Sequence, residues 1–253
     1  MKRGILSLIF IVALGHISAQ ERPSFTVVQC DNFATDIQNN LYFWKDGNLC
    51  MYTIKGEHFA NYSDTQAGPI TSVSVNTGTK VLVFHQESGS ISLLNNKLAL
   101  IEKPIQLYDK GWYTITEAAL LGSSQIVLYD AANEDLIITD LNLTILNKTH
   151  CDFGKNFTPQ LLRVSSEKEI LLIDSTSGVY FFDSFGTFEK KIALLGIEDA
   201  HFYNGVLFYL IKNQIHSYRL LDLEYSTLEA RPYSIKAFNT SYDYNYFLDK
   251  AGQ

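Results

Sequence analysis

Short runs of β-branched and aromatic residues recur along the chain, separated by Gly, Asn, Asp and Ser, and few stretches carry a helical period. Apolar residues that alternate or run for four to six positions between such turn formers predict strands. The best-marked runs are 41–44, 81–84, 126–129, 170–173, 206–209 and 244–247, and their starts are 40, 45, 44, 36 and 38 residues apart. The first four are each followed by a polar turn and a second run: 45–48 before 49–54, 86–89 before 90–94, 131–135 before 136–141, and 175–178 before 179–183. With one strand before each marker and another after each pair, the repeating unit holds four strands.

A lone unit of this kind has no way to bury both faces of its sheet, so neighbouring units must stack. A period near forty with four strands per unit reads as the blade of a β-propeller. The expected fold is therefore all-β, a propeller of about six four-stranded blades. A β-sandwich is the structural alternative, but it does not require a constant period. The last unit ends soon after its marker strand, and residues 25–29 (Phe-Thr-Val-Val-Gln) precede the first inner strand. These residues are expected to pair into the last blade and close the ring, covering open sheet edges.

Residues 1–19 read differently from the rest. Lys2 and Arg3 precede an uncharged apolar run over 4–14 and the small-residue stretch His16-Ile17-Ser18-Ala19. That is the pattern of a secretory signal peptide cleaved after Ala19, and the run is about half the roughly 20 residues a membrane-spanning helix needs. Residues 20–253 would then form a single propeller domain with no transmembrane segment of its own. The leader resembles those of gram-negative bacteria, which implies the periplasm or the periplasmic face of the outer membrane, with an extracellular destination as the alternative. The formal charge of −7 has the wrong sign for a nucleic-acid binder. Cys30, Cys50 and Cys151 are odd in number and widely spaced; they imply no disulfide framework, and only Cys30 with Cys50 would make a bridge.

The repeat carries a resemblance. Asp36-Ile37-Gln38-Asn39-Asn40-Leu41-Tyr42-Phe43 resembles the D-x-x-G-N-L-Y-V turn and strand of NHL-type propellers, with Asn39 in the glycine's place. Phe182-Asp183-Ser184-Phe185-Gly186-Thr187-Phe188 is similar to the outer hairpin of the same repeats. The resemblance implies a propeller architecture; its motifs are turn chemistry and do not imply a reaction.

Propeller enzymes work at the central channel, so the polar residues at the ends of the inner strands are the places to look for chemistry. These are Asp36, Glu117, Asp199, His201 and Asn239, with Thr71 and Gln160 at equivalent places. Asp36, Glu117, Asp199 and Asn239 are the candidate metal ligands, an acid-and-amide set with the hard oxygens that calcium takes, distantly similar to the axial site of propeller lactonases. No cofactor is otherwise implied. The histidines form no zinc-ligand spacing, and neither a G-x-S-x-G elbow nor a phosphate-binding glycine loop occurs. Trp112 and Tyr113, after Asp109-Lys110-Gly111, are candidate binding residues at a channel mouth, suited to stacking on a sugar or anchoring a partner.

With no catalytic constellation, the expected function is a non-catalytic protein-interaction scaffold or accessory subunit of a cell-envelope complex serving outer-membrane transport, assembly or secretion. An envelope or outer-membrane protein is then its partner. The alternatives are a channel-centred hydrolase or lactonase-like enzyme with a calcium site, and a carbohydrate- or peptide-binding module.

Overall fold

The computed structural model describes the backbone at residues 7–12, 25–27, 30–75, 78–154, 157–227, 235–240 and 245–249. Within these residues every strand pairing is antiparallel and the strands form six four-stranded sheets. Five sheets take four strands consecutive in sequence. The sixth joins Ile235–Thr240 and Asn245–Asp249 to Ser7–Val12 and Phe25–Val27 from the other end of the chain. The innermost strands Asn32–Thr35, Ser72–Ser74, Ile115–Leu121, Leu161–Val164, Asp199–Tyr203 and Ile235–Thr240 neighbour one another in that order, and the last returns to the first. The fold is a β-propeller of four-stranded blades around a central channel.

Packing between blades explains the sequence pattern. The middle strands of a blade are covered on both faces by its neighbours, so they read as continuous apolar runs. In the fourth sheet every residue of Ile170–Asp174 and Gly178–Phe182 is buried. Outermost strands meet water instead, as in Ile145–His150 and Phe188–Ile192. The hydrophobic clusters lie between sheets: Ala119, Val127, Leu136 and Ile138 of the third pack against Leu162, Leu172, Tyr180 and Phe182 of the fourth. Leu41 and Phe43 of the first meet Ala237, Tyr246 and Leu248 of the last, which closes the ring by packing as well as by pairing.

One turn recurs on a single face. The Asp36 carboxylate accepts the N–H groups of Gln38 and Asn40, Asn95 those of Lys97 and Ala99, Asp140 those of Asn142 and Thr144, and Asp183 those of Phe185 and Thr187. The Ser165 hydroxyl does the same for Glu167 and Glu169. In each, the fourth residue takes the left-handed conformation: Asn39, Leu98, Leu143, Lys168 or Gly186. A short polar side chain that fills the role of a backbone acceptor makes this geometry affordable for residues other than glycine.

The closing strands depart from expectation in their order. Phe25–Val27 does belong to the last sheet, but it lies one place further out, because Ser7–Val12 pairs directly with Asn245–Asp249. Ser7–Val12 is uncharged and rich in branched side chains, a better strand former than residues 25–29. Ala19, Val28 and Gln29 lie outside the described residues. All three cysteines are free; Cys151 is buried, and burial pushes its thiol up to about 12.

Candidate functional site

The inner strands enclose a cavity of about 360 Å³ lined by side chains from around the ring. Asp36, Glu117, Asp199, His201 and Asn239 all line it, as do Thr71 and Gln160. These seven positions, expected from the sequence to face the channel, lie on its wall. Arg163, the one basic side chain besides His201 among the described lining residues, was not among the positions expected. Its one signal was a lone charge inside the short apolar run Leu161–Val164.

Arg163 organises the wall. Its Nη2 donates to Asp199 Oδ1 at 2.8 Å, and its Nη1 donates to the Leu162 carbonyl at 3.3 Å. Asp199 also accepts the Ala200 N–H at 2.9 Å and the Phe238 N–H at 3.4 Å, while His201 Nε2 lies 3.6 Å from its second oxygen. Burial alone would raise the Asp199 carboxyl; the charges of Arg163 and His201 outweigh it and hold the group down at about 2. Across the same cavity Glu117 has the opposite fate. Burial pushes its carboxyl up to about 7, and the Arg163 charge and the Leu162 N–H only temper the rise.

Asp36 is spent on structure. Besides the two backbone groups of its turn, it accepts Asn40 Nδ2 at 2.9 Å and the Tyr42 hydroxyl at 3.0 Å. Those four donors use the carboxylate's four acceptor positions. Asp36, Glu117, Asp199 and Asn239 therefore share the channel without converging as a ligand shell. Among the described residues no three His, Cys, Asp or Glu side chains gather where a metal ion would fit. Asp36 is taken up by its four donors and Asp199 by its pairing with Arg163.

Trp112 and Tyr113 do not line the cavity. The short 3-10 turn Leu107–Lys110 ends on Gly111 in the left-handed conformation, and the Trp112 N–H returns to the Leu107 carbonyl. That path lays the indole against the core between the second and third sheets and leaves Tyr113 79% exposed on the surface.

No protein-family profile and no curated protein matches the chain. Solved structures do. The chain is similar to the Neurospora crassa Pan2 WD40 domain, at 14% identity over 92% of this chain and 74% of that one, with a TM-score of 0.58. It is similar to virginiamycin B lyase from Staphylococcus aureus, solved with quinupristin as a catalytically inactive variant, at 11% identity over 96% and 82% of the two chains and a TM-score of 0.60. A chain of the mitotic checkpoint complex matches at 11% identity over 86% and 73%, with a TM-score of 0.57. At these identities the likeness is one of fold: the chain is a β-propeller, in a fold that serves assemblies and enzymes alike.

Proposed function

We propose that this chain is an exported, non-catalytic β-propeller that serves as a protein-interaction scaffold, an accessory subunit of a cell-envelope complex, with an NHL-like repeat and six blades in its working form. The observation that carries the reading is the face on which the inner strands end. Its loops and turns present Ile37 of the first sheet, Leu100 and Ile101 of the second, Phe185 of the fourth, and Leu221 and Leu223 of the fifth, all exposed; Phe185 is 72% and Leu221 92% accessible. Scattered single apolar residues on a surface are ordinary, but several large ones on the loops of one face suit a protein partner. The opposite face carries Tyr108, Tyr113 and Leu195. Propellers of the same fold occur in the checkpoint assembly and as WD40 domains. The leader-like segment at 1–19 supports an exported location and an envelope partner.

The test is photo-cross-linking in cells with a benzophenone amino acid placed at Phe185, Leu221 and Tyr113 in turn. A specific adduct with one envelope protein from Phe185 or Leu221 is the expected result. Adducts from none of the three positions would remove the scaffold reading. A second reading, a reaction at the channel, is favoured by one observation: a half-buried carboxyl on the channel wall, Glu117, which desolvation pushes up to about 7, where a general acid or base works well.

A further inference from the structure

The sixth sheet joins strands from both ends of the chain, and its third place, counted outward from the channel, is held by Ser7–Val12. Ser7, Leu8 and Ile9 pair with Val27, Thr26 and Phe25, while Phe10, Ile11 and Val12 pair with Phe247, Tyr246 and Asn245. The segment thus bridges two strands that do not pair with each other. The same place in the second, third and fourth sheets shows what such a position asks of its occupant. Burial runs along the whole of Gly178–Phe182 and along all but the last residue of Ser90–Asn95 and Asp135–Asp140. A third strand covered on both faces selects branched and aromatic side chains in a continuous run. Ser-Leu-Ile-Phe-Ile-Val at 7–12 has that character. Phe-Thr-Val-Val-Gln at 25–29 carries two polar side chains and suits the outer place that Phe25–Val27 takes.

We propose that in the mature chain this third place is filled by a strand donated by an envelope partner, an extended apolar segment as long as the six residues of Ser7–Val12 and β-branched like them. The inference rests on the exported reading above, since cleavage after Ala19 removes 7–12 and leaves the sheet three of its four strands. Residues 25–29 then close on Asn245–Asp249 as a stopgap, with their own outer N–H and C=O groups unpaired, an edge open to a further strand. The donated strand pairs with Asn245–Asp249 on one side and Phe25–Val27 on the other, in the register that 7–12 shows, and moves 25–29 back to the outer place. Main-chain hydrogen bonds supply the affinity of such strand addition, and the side chains buried between blades supply its specificity.

To test this, the chain is overproduced in its own host, so that it outnumbers any partner, and the start of the exported form is read by mass spectrometry; Gln20 is expected. The probe is a fluorescent peptide, Ser-Leu-Ile-Phe-Ile-Val with a lysine tail for solubility, used in anisotropy titrations and thermal melts. Saturable binding to the exported chain is expected, with a higher melting temperature in the presence of the peptide. The uncleaved chain, made in a cell-free system, should bind it at least roughly tenfold more weakly, because its own tethered segment competes for the place. Proline in place of the peptide's phenylalanine removes a ladder N–H and should weaken binding to the exported chain by roughly tenfold, which separates strand pairing from apolar adsorption. No saturable binding, or equal binding by the uncleaved chain or of the proline peptide, would overturn the proposal and leave the exported reading standing. A stable dimer of the exported chain that excludes the peptide would overturn it in favour of a second copy as occupant. Retention of residues 7–12 in the exported chain would overturn it as well, and retention without export would overturn both readings.

Discussion

At the residue scale, Glu117 and Asp183 show what one carboxylate does in two settings. Glu117 sits in the channel with its folded-state carboxyl raised from 4.5 to about 7. Below 4.5 it is protonated folded or unfolded and contributes nothing; as pH rises from 4.5 to 7 the unfolded chain gives up its proton first, and stability falls. Glu117→Gln should therefore flatten that part of the stability–pH curve and be more stable than wild type at pH 8, as measured by urea denaturation. The sign is opposite for Asp199, held at about 2, whose contribution is lost only as pH falls below its unfolded value. Asp183 works on the surface turn, accepting the Phe185 and Thr187 N–H groups at 2.8 Å each. Asp183→Ala removes both and should cost about 1–2 kcal/mol in the same assay, while Asp183→Asn, which keeps an acceptor, should cost less. The channel acids were legible because each is a polar residue at or near the end of an inner strand. Arg163 was not, since a single charge inside an apolar run carries no spacing that points to a partner thirty-six residues away.

At the element scale, the marker strands were legible because blade-to-blade packing writes them as apolar runs on a constant period. The recurring turn was legible in only two of its five places. Asp36 and Asp183 stand in the two stretches that resemble NHL-type turns, whereas Asn95, Asp140 and Ser165 build the same turn around Leu98, Leu143 and Lys168. Leu98 and Leu143 are buried, so packing chose leucine where backbone conformation favours glycine. Gly178 is the reverse case. It opens a buried strand at φ +124, and a Cβ there would lie 2.2 Å from the Ile192 carbonyl oxygen of the outer strand. Gly178→Ala should destabilise the fold by about 3 kcal/mol by forcing the outer strand away. A melt of that variant matching wild type would contradict the pairing of Val179 with Ile192 in this sheet. Trp112 and Tyr113 illustrate the limit in the other direction: their position before an inner strand suggested the channel, and a short 3-10 turn with a left-handed Gly111 redirected them.

At the scale of the whole molecule, the period and the closure by the chain's own ends were visible in sequence, but the order of the closing strands was not. Two segments compete for the edge of Asn245–Asp249, and the chain read without its leader retains only the second. A chain starting at Gln20 should still fold, with residues 25–29 against that edge. Further removal of 20–29 should lower its melting temperature by about 5 °C or more, since a bare edge and its apolar neighbours then face water. The face on which the inner strands end is where the account meets function, and the most direct measurement is quantitative. Tagged wild-type chain and a Phe185→Asp, Leu221→Asp double variant are purified from solubilised envelope, with co-purifying proteins measured in proportion to the bait. Both side chains are exposed, so the variant should keep the wild-type melting temperature. The account predicts one stoichiometric envelope partner with the wild type and its loss from the equally stable variant. Recovery of both chains alone, or of the same partner in the same proportion, would contradict it.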